Sequence, residues 1–155
     1  MPRYWLMKSE PDVYSIDDLK RDGQTFWEGV RNYQARNLLR DQIQVGDQVL
    51  FYHSSAKPPA VAGTAVVVAA ARPDPAQFDP RSDYHDPKST IETPRWFGVE
   101  IAYQSHLGRP VPLDELRATP ALADMVLLQR SRLSVQPVTQ AQWKTVTKLG
   151  AKKRG

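Results

Sequence analysis

Apolar positions recur along this chain with two periods, and they divide it into strands and helices. "YWLMKS", from Tyr4 to Ser9, reads as a strand that Pro11 stops. "QVLFYHS" follows the turn Val45–Gly46–Asp47 and is apolar on both alternate faces, the pattern of a strand covered on two sides. "AVAGTAVVVAAA" is a third strand-like run, whose Gly63 and alanines imply close packing. "RWFGVEIAYQSHL" puts Phe97, Val99, Ile101 and Tyr103 on one face, and "RLSVQPV" is the last strand.

The helical period appears between these runs. Ser15 with Asp18 has the form of a capping box and opens a short helix through Arg21, and "TFWEGV" is a brief extended piece after it. Asn32 is placed to cap a helix from Tyr33 to about Gln42. In that helix Ala35, Leu38 and Leu39 form the apolar side, while Tyr33, Arg36, Asn37 and Arg40 share the other. "PLDEL" and "TPALADM" are short helical turns, and "TQAQWKTVTKL" is a closing helix with Thr139 as its cap. Arg72 to Pro94 holds five prolines and reads as a long surface excursion. These elements predict an α+β fold: a small, partly open mixed β-barrel of about five or six strands with short helices packed around it.

Composition narrows the class. The 155 residues, 41% hydrophobic and 25% charged, suit one globular domain, assigned to residues 1–149 with a basic flexible tail over 150–155. A formal charge of +4 is compatible with a polyanionic partner without requiring one. The absence of cysteine excludes disulfides, thiolate metal sites and a cysteine nucleophile. The N-terminal segment lacks a signal pattern, and Val61 to Ala71 is too short to span a bilayer. The expected location is the cytoplasm, with the nucleoid or a nucleus as variants.

No phosphate-binding glycine loop, dinucleotide fingerprint or nucleophile elbow is present. His53, His85 and His106 lie far apart, so neither a metal nor a cofactor is expected. Asp74, Asp79, Asp83 and Asp86 read as solvated loop acids. The segment "WEGVRNYQARNLLR" stands out, because it crowds Trp27, Arg31, Asn32 and Tyr33 at a helix entrance. An indole face, an amide and guanidinium groups are what holding a base and its phosphate requires. A core Trp27 beside solvated arginines accounts for the same segment equally well. "KSEP" and "FYHS" each end a strand with polar chemistry, which alone is an ordinary strand terminus.

Taken together, "YWLMKSEP", "WEGVRNYQARN", "GDQVLFYHS", "AGTAVVVAAA", "PRWFGVEI" and "RLSVQPVT" resemble the EVE domain, in order, from Tyr4 to about Trp143. That family has a PUA-like fold related to the YTH domain, and its members read modified bases. The resemblance implies one base pocket surrounded by Lys8, Ser9, Glu10, Trp27, Val30, Asn32, His53 and Ser54. It places Arg31, Tyr33, Arg36, Arg95, Trp96 and Arg132 at the rim or on phosphate. On this reading Trp27 stacks the base, Ser9 and Asn32 read its polar edge, Val30 helps enclose the substituent, and Arg31 and Arg36 hold phosphate. The implied protein is a non-catalytic monomer. Its partner is nucleic acid carrying a modified base, with 5-methylcytosine or 5-hydroxymethylcytosine in DNA first and modified RNA second. Two alternatives stand beside it. One is a small hydrolase of the ASCH type, with Lys8 and either Glu10 or Glu28 as reacting groups. The other is a protein-interaction domain whose aromatics are all core.

Overall fold

The computed structural model describes residues 2–129 and 132–151. Six strands form one mixed sheet: β1 (Tyr4–Ser9), β2 (Gln24–Phe26), β3 (Gln48–His53), β4 (Ala60–Pro73), β5 (Phe97–Pro112) and β6 (Val135–Val138). Their order is β2-β5-β4-β3-β1-β6. Among the described residues only β1 and β3 pair in parallel, from Tyr4 opposite Gln48 to Ser9 opposite His53. That one parallel pairing sets the C-terminal ends of the two strands side by side, and the Ser54 amide then donates to the Ser9 carbonyl at 3.0 Å.

Five helices cover the sheet: α1 (Ile16–Asp22), α2 (Tyr33–Asp41), α3 (Leu113–Arg117), α4 (Val126–Gln129) and α5 (Gln140–Ala151). Successive side chains of a strand point to opposite faces, and the two apolar clusters follow that rule. Trp5, Met7, Val49 and Phe51 join Leu19, Ala35 and Leu39 in one core. Leu6, Leu50 and Tyr52 join Leu116, Leu127 and Val146 in the other. Covering both faces explains why "QVLFYH" has no polar side. Each fully buried large side chain of this kind stabilises the fold by about 1.5–3 kcal/mol.

The expected caps are present. Ser15 and Asp18 exchange both hydrogen bonds of a capping box, Asn32 Oδ1 accepts from the Ala35 amide, and Thr139 and Gln142 cap each other reciprocally. Other expectations change. β5 runs on to Pro112, α4 is a helix in a stretch to which the sequence assigned no element, and α5 carries Gly150 and Ala151 into regular structure; the rest of the expected tail lies outside the described residues. The largest change is in the proline-rich excursion. Asp74 and Gln77 are wholly buried. The Gln77 side chain donates to the Asp74 and Trp96 carbonyls and accepts from the Arg95 and Trp96 amides, which closes the excursion at its base. Internal hydrogen bonds let this loop pack against the domain where composition alone indicated solvent.

Candidate functional site

A cavity of about 450 Å³ opens at the paired ends of β1 and β3. Lys8 and Ser9 line it from β1, Glu10, Val13 and Tyr14 from the turn that follows, and Ser54 from the end of β3. Thr25 and Phe26 of β2, then Trp27, Glu28, Gly29 and Val30, supply a second wall, and Tyr84 and Ser134 complete the lining. The turn is held by the Val13 and Tyr14 amides, both donating to the Glu10 carbonyl at 2.9 Å. The Ser9 hydroxyl donates to the Tyr14 carbonyl at 2.6 Å. Burial pushes the Lys8 pKa down from the usual lysine value.

Trp27 is 8% exposed and meets the Phe51 ring edge-on, with centroids 5.5 Å apart. Its amide donates to the Val99 carbonyl. Trp27 therefore belongs to the apolar core and also lines the cavity. Gly29 has φ +84°, and a Cβ there would stand 2.7 Å from the Tyr84 ring. Only glycine combines that left-handed backbone with a close aromatic neighbour.

Asp74 fixes this wall. Its carboxylate has no exposed surface and accepts from the Gly29 amide at 2.8 Å, the Ala76 amide at 2.8 Å and Arg31 Nη1 at 3.0 Å. Arg31 also donates to the Val30 carbonyl and twice to the Tyr84 carbonyl. The reading of Asp74 as a solvated acid is corrected by these bonds. Asp86 is corrected too, because it accepts from Trp96 Nε1 at 2.8 Å.

Six of the eight expected pocket residues line the cavity: Lys8, Ser9, Glu10, Trp27, Val30 and Ser54. Asn32 and His53 are not among its lining. The Asn32 side chain caps α2. His53 Nε2 accepts from the Ile16 amide at 3.1 Å, which ties β3 to the start of α1. At the expected rim, Arg31 has its donors committed to Asp74 and two carbonyls, and Trp96 is only 6% exposed. Trp96 stacks on Tyr33 at 4.8 Å, and the Arg36 guanidinium lies 4.7 Å from the Tyr33 ring centroid. Arg36 also donates to the Arg95 carbonyl. Tyr33 and Arg132 are exposed, while Arg95 is half-buried. Tyr33, Arg36, Arg95 and Arg132 thus keep solvent-exposed surface, with Arg36 also donating to Asn37 Oδ1, while Arg31 and Trp96 hold the loop. Sequence reasoning missed Val13, Tyr14, Thr25, Phe26, Tyr84 and Ser134 as lining residues. A glycine two residues after Trp27 was the available signal that something packs closely there.

The His53 bond predicts a pH effect. Accepting at Nε2 requires the neutral ring, and burial lowers the His53 pKa from its ordinary 6.5, with Asp17 opposing and His106 reinforcing the shift. A depressed pKa contributes stability that is complete above the unfolded-state value and is lost as pH falls through the folded-state value. His53→Gln retains an acceptor without the titration. Its urea midpoint is expected to fall less than the wild-type midpoint between about pH 7 and 5. Parallel pH profiles for the two proteins would refute this role.

A six-stranded mixed sheet with short helices and a cavity at its strand ends is the architecture of PUA-like domains. The model of the EVE domain matches residues 3–149, and the chain belongs to that family. Human thymocyte nuclear protein 1 is 40% identical over 168 residues, covering 96% of this chain and 74% of the relative. A protein from Leishmania major has a TM-score of 0.94 and 43% identity, covering 97% of this chain and 95% of its own. The human THYN1 protein in complex with 5-methylcytosine-containing DNA has a TM-score of 0.92 and 39% identity, over 98% of this chain and 99% of that one. A YTH domain from Zygosaccharomyces rouxii, at 17% identity and a TM-score of 0.55, shares the fold. Among the described residues no group of three or more His, Asp or Glu side chains is placed to hold a metal ion. No helix there is long and apolar enough to cross a membrane.

Proposed function

We propose that this protein is a non-catalytic reader of a modified base in nucleic acid, with 5-methylcytosine or 5-hydroxymethylcytosine in DNA as the first ligands and modified RNA as the second. It acts as a monomer without metal or cofactor. The observation that carries the reading is the cavity itself, which sets an aromatic and aliphatic wall of Trp27, Phe26 and Val30 against Lys8, Ser9 and Glu10. The human relative in complex with 5-methylcytosine-containing DNA supports it.

A base swung out of the stack costs a few kcal/mol. Aromatic contact returns about 1–3 kcal/mol, and cationic contact with phosphate adds a salt-dependent share. Burying one methyl group is worth about 0.8 kcal/mol, or roughly fourfold in affinity. A larger preference requires a hydrogen bond or a displaced water.

The test is titration with matched oligonucleotides carrying cytosine, 5-methylcytosine, 5-hydroxymethylcytosine, N6-methyladenine or an abasic site at one position. At least about fourfold preference for a modified cytosine over cytosine is expected. Equal affinity across the set would overturn the reading. Chemical conversion of a modified base during the assay would replace it with the hydrolase alternative.

A further inference from the structure

We propose that Glu28 selects the base by accepting a hydrogen bond from an exocyclic amino group, so that the site takes a 4-aminopyrimidine and rejects a 4-oxopyrimidine. This rests on the base-reading function above and names the chemical edge that it reads.

A cytosine edge offers an amino donor at position 4 and acceptors at N3 and O2. Thymine, which is 5-methyluracil, offers an oxo acceptor at position 4 and a donor at N3. Recognition of the amino group therefore needs an acceptor at the cavity with lone pairs to spare. The polar groups expected to serve differ in what they can offer. Asn32 Oδ1 caps α2 outside the cavity lining. The Ser9 hydroxyl is oriented by its bond to the Tyr14 carbonyl and offers only neutral lone pairs, and Oε1 of the Glu10 carboxylate already takes the Ser55 hydroxyl at 3.4 Å. Glu28 lines the cavity, and its carboxylate receives no hydrogen bond among the described residues.

Its position is set in advance. The amide on one side of it, at Trp27, is tied to the Val99 carbonyl, and the amide on the other side, at Gly29, is tied to Asp74. Fixed flanking peptides hold a recognition group in place before the ligand arrives. The Glu28 side chain is exposed in the free protein, which leaves its carboxyl within reach of a ligand, and its surroundings disfavour the charge. Burial, and then the Asp74 charge, push its pKa up, with Arg31 opposing. A ligand amino group would relieve that cost, whereas an oxo group would add to it.

The experiment compares wild type with Glu28→Gln on oligonucleotides that differ at one position, carrying 5-methylcytosine, thymine, cytosine or an abasic site. 5-Methylcytosine and thymine share the methyl group and differ only along the edge in question. The wild type is expected to prefer 5-methylcytosine over thymine by about tenfold or more, the scale of one hydrogen bond to a charged group. In Glu28→Gln that ratio should fall to within about twofold, because an amide can donate to O4 as well as accept from an amino group. An unchanged ratio in the variant would overturn the assignment. So would equal wild-type affinity for 5-methylcytosine and thymine, even where 5-methylcytosine still exceeds cytosine; that outcome leaves the base-reading function standing. Equal binding of all four probes overturns both.

Folding of the variant has its own readout. A carboxyl whose pKa is raised by folding destabilises the fold in its charged form, above the folded-state pKa. Glu28→Gln should therefore melt at or above the wild-type temperature at pH 7, with the difference vanishing below the ordinary value of 4.5. Glu28→Asp, which retains the charge, should keep the preference for 5-methylcytosine; loss of the preference there with the fold intact would also count against the assignment.

Discussion

Replacing Asp74 with Asn is expected to lower stability by about 3–5 kcal/mol and to loosen the cavity wall. The carboxylate is wholly buried and receives three hydrogen bonds, from the Gly29 and Ala76 amides and from Arg31. An Asn amide can keep one acceptor oxygen, but its NH2 group must then face donors. The charge of Arg31, only 21% exposed at its side chain, would lose its counterion. Removing Arg31 as well should not restore stability, since the Asn NH2 group still faces one of the two amides. Urea unfolding of Asp74→Asn, Arg31→Leu and the double variant tests this. A loss below about 1 kcal/mol in Asp74→Asn would show that water or a neighbour replaces the carboxylate. The loss of ligand affinity should exceed what the unfolded fraction explains, because Gly29 and Tyr84 are positioned through this residue and Arg31.

Trp27→Ala is expected to cost about 3–5 kcal/mol of folding stability. The indole is 8% exposed and packs edge-on against the fully buried Phe51. Because it also lines the cavity, truncation should remove about 1–3 kcal/mol of base affinity from the molecules that remain folded. Melting curves beside titrations well below the midpoint separate the two losses. Wild-type melting with binding lost would make Trp27 a surface platform only. Reduced melting with full affinity per folded molecule would make it core only. Trp27→Phe keeps an aromatic ring against Phe51 and should recover most of the stability.

Much of the fold was legible because its signals are local. Apolar runs bounded by turn residues defined β1, β3 and β4, alternation defined β5, a capping pair located the start of α1, and the single cap residues Asn32 and Thr139 located those of α2 and α5. These signals act within a turn or across a pleat, so they survive without tertiary context. β2 and α4 were harder, because elements of three and four residues carry less than one full period of either pattern.

Six cavity residues were legible because their segments end strands or follow one, and the family resemblance joined those segments. What the sequence determined by itself was the apolar runs that commit "YWLMKS" and "QVLFYH" to the sheet, and the polar residues waiting at their ends. Only the tertiary structure decided which of those polar groups remained available. The parallel register of β1 and β3 brought Ser9 beside His53. The Ile16 amide then engaged His53, the start of α2 engaged Asn32, and Asp74, 43 residues away, engaged Arg31. A side chain's chemistry is written at its own position, but hydrogen-bond partners compete for it through space. A buried donor or acceptor takes a partner wherever the fold supplies one, and the groups left over at the cavity, Glu28 among them, emerge only when the whole chain has closed.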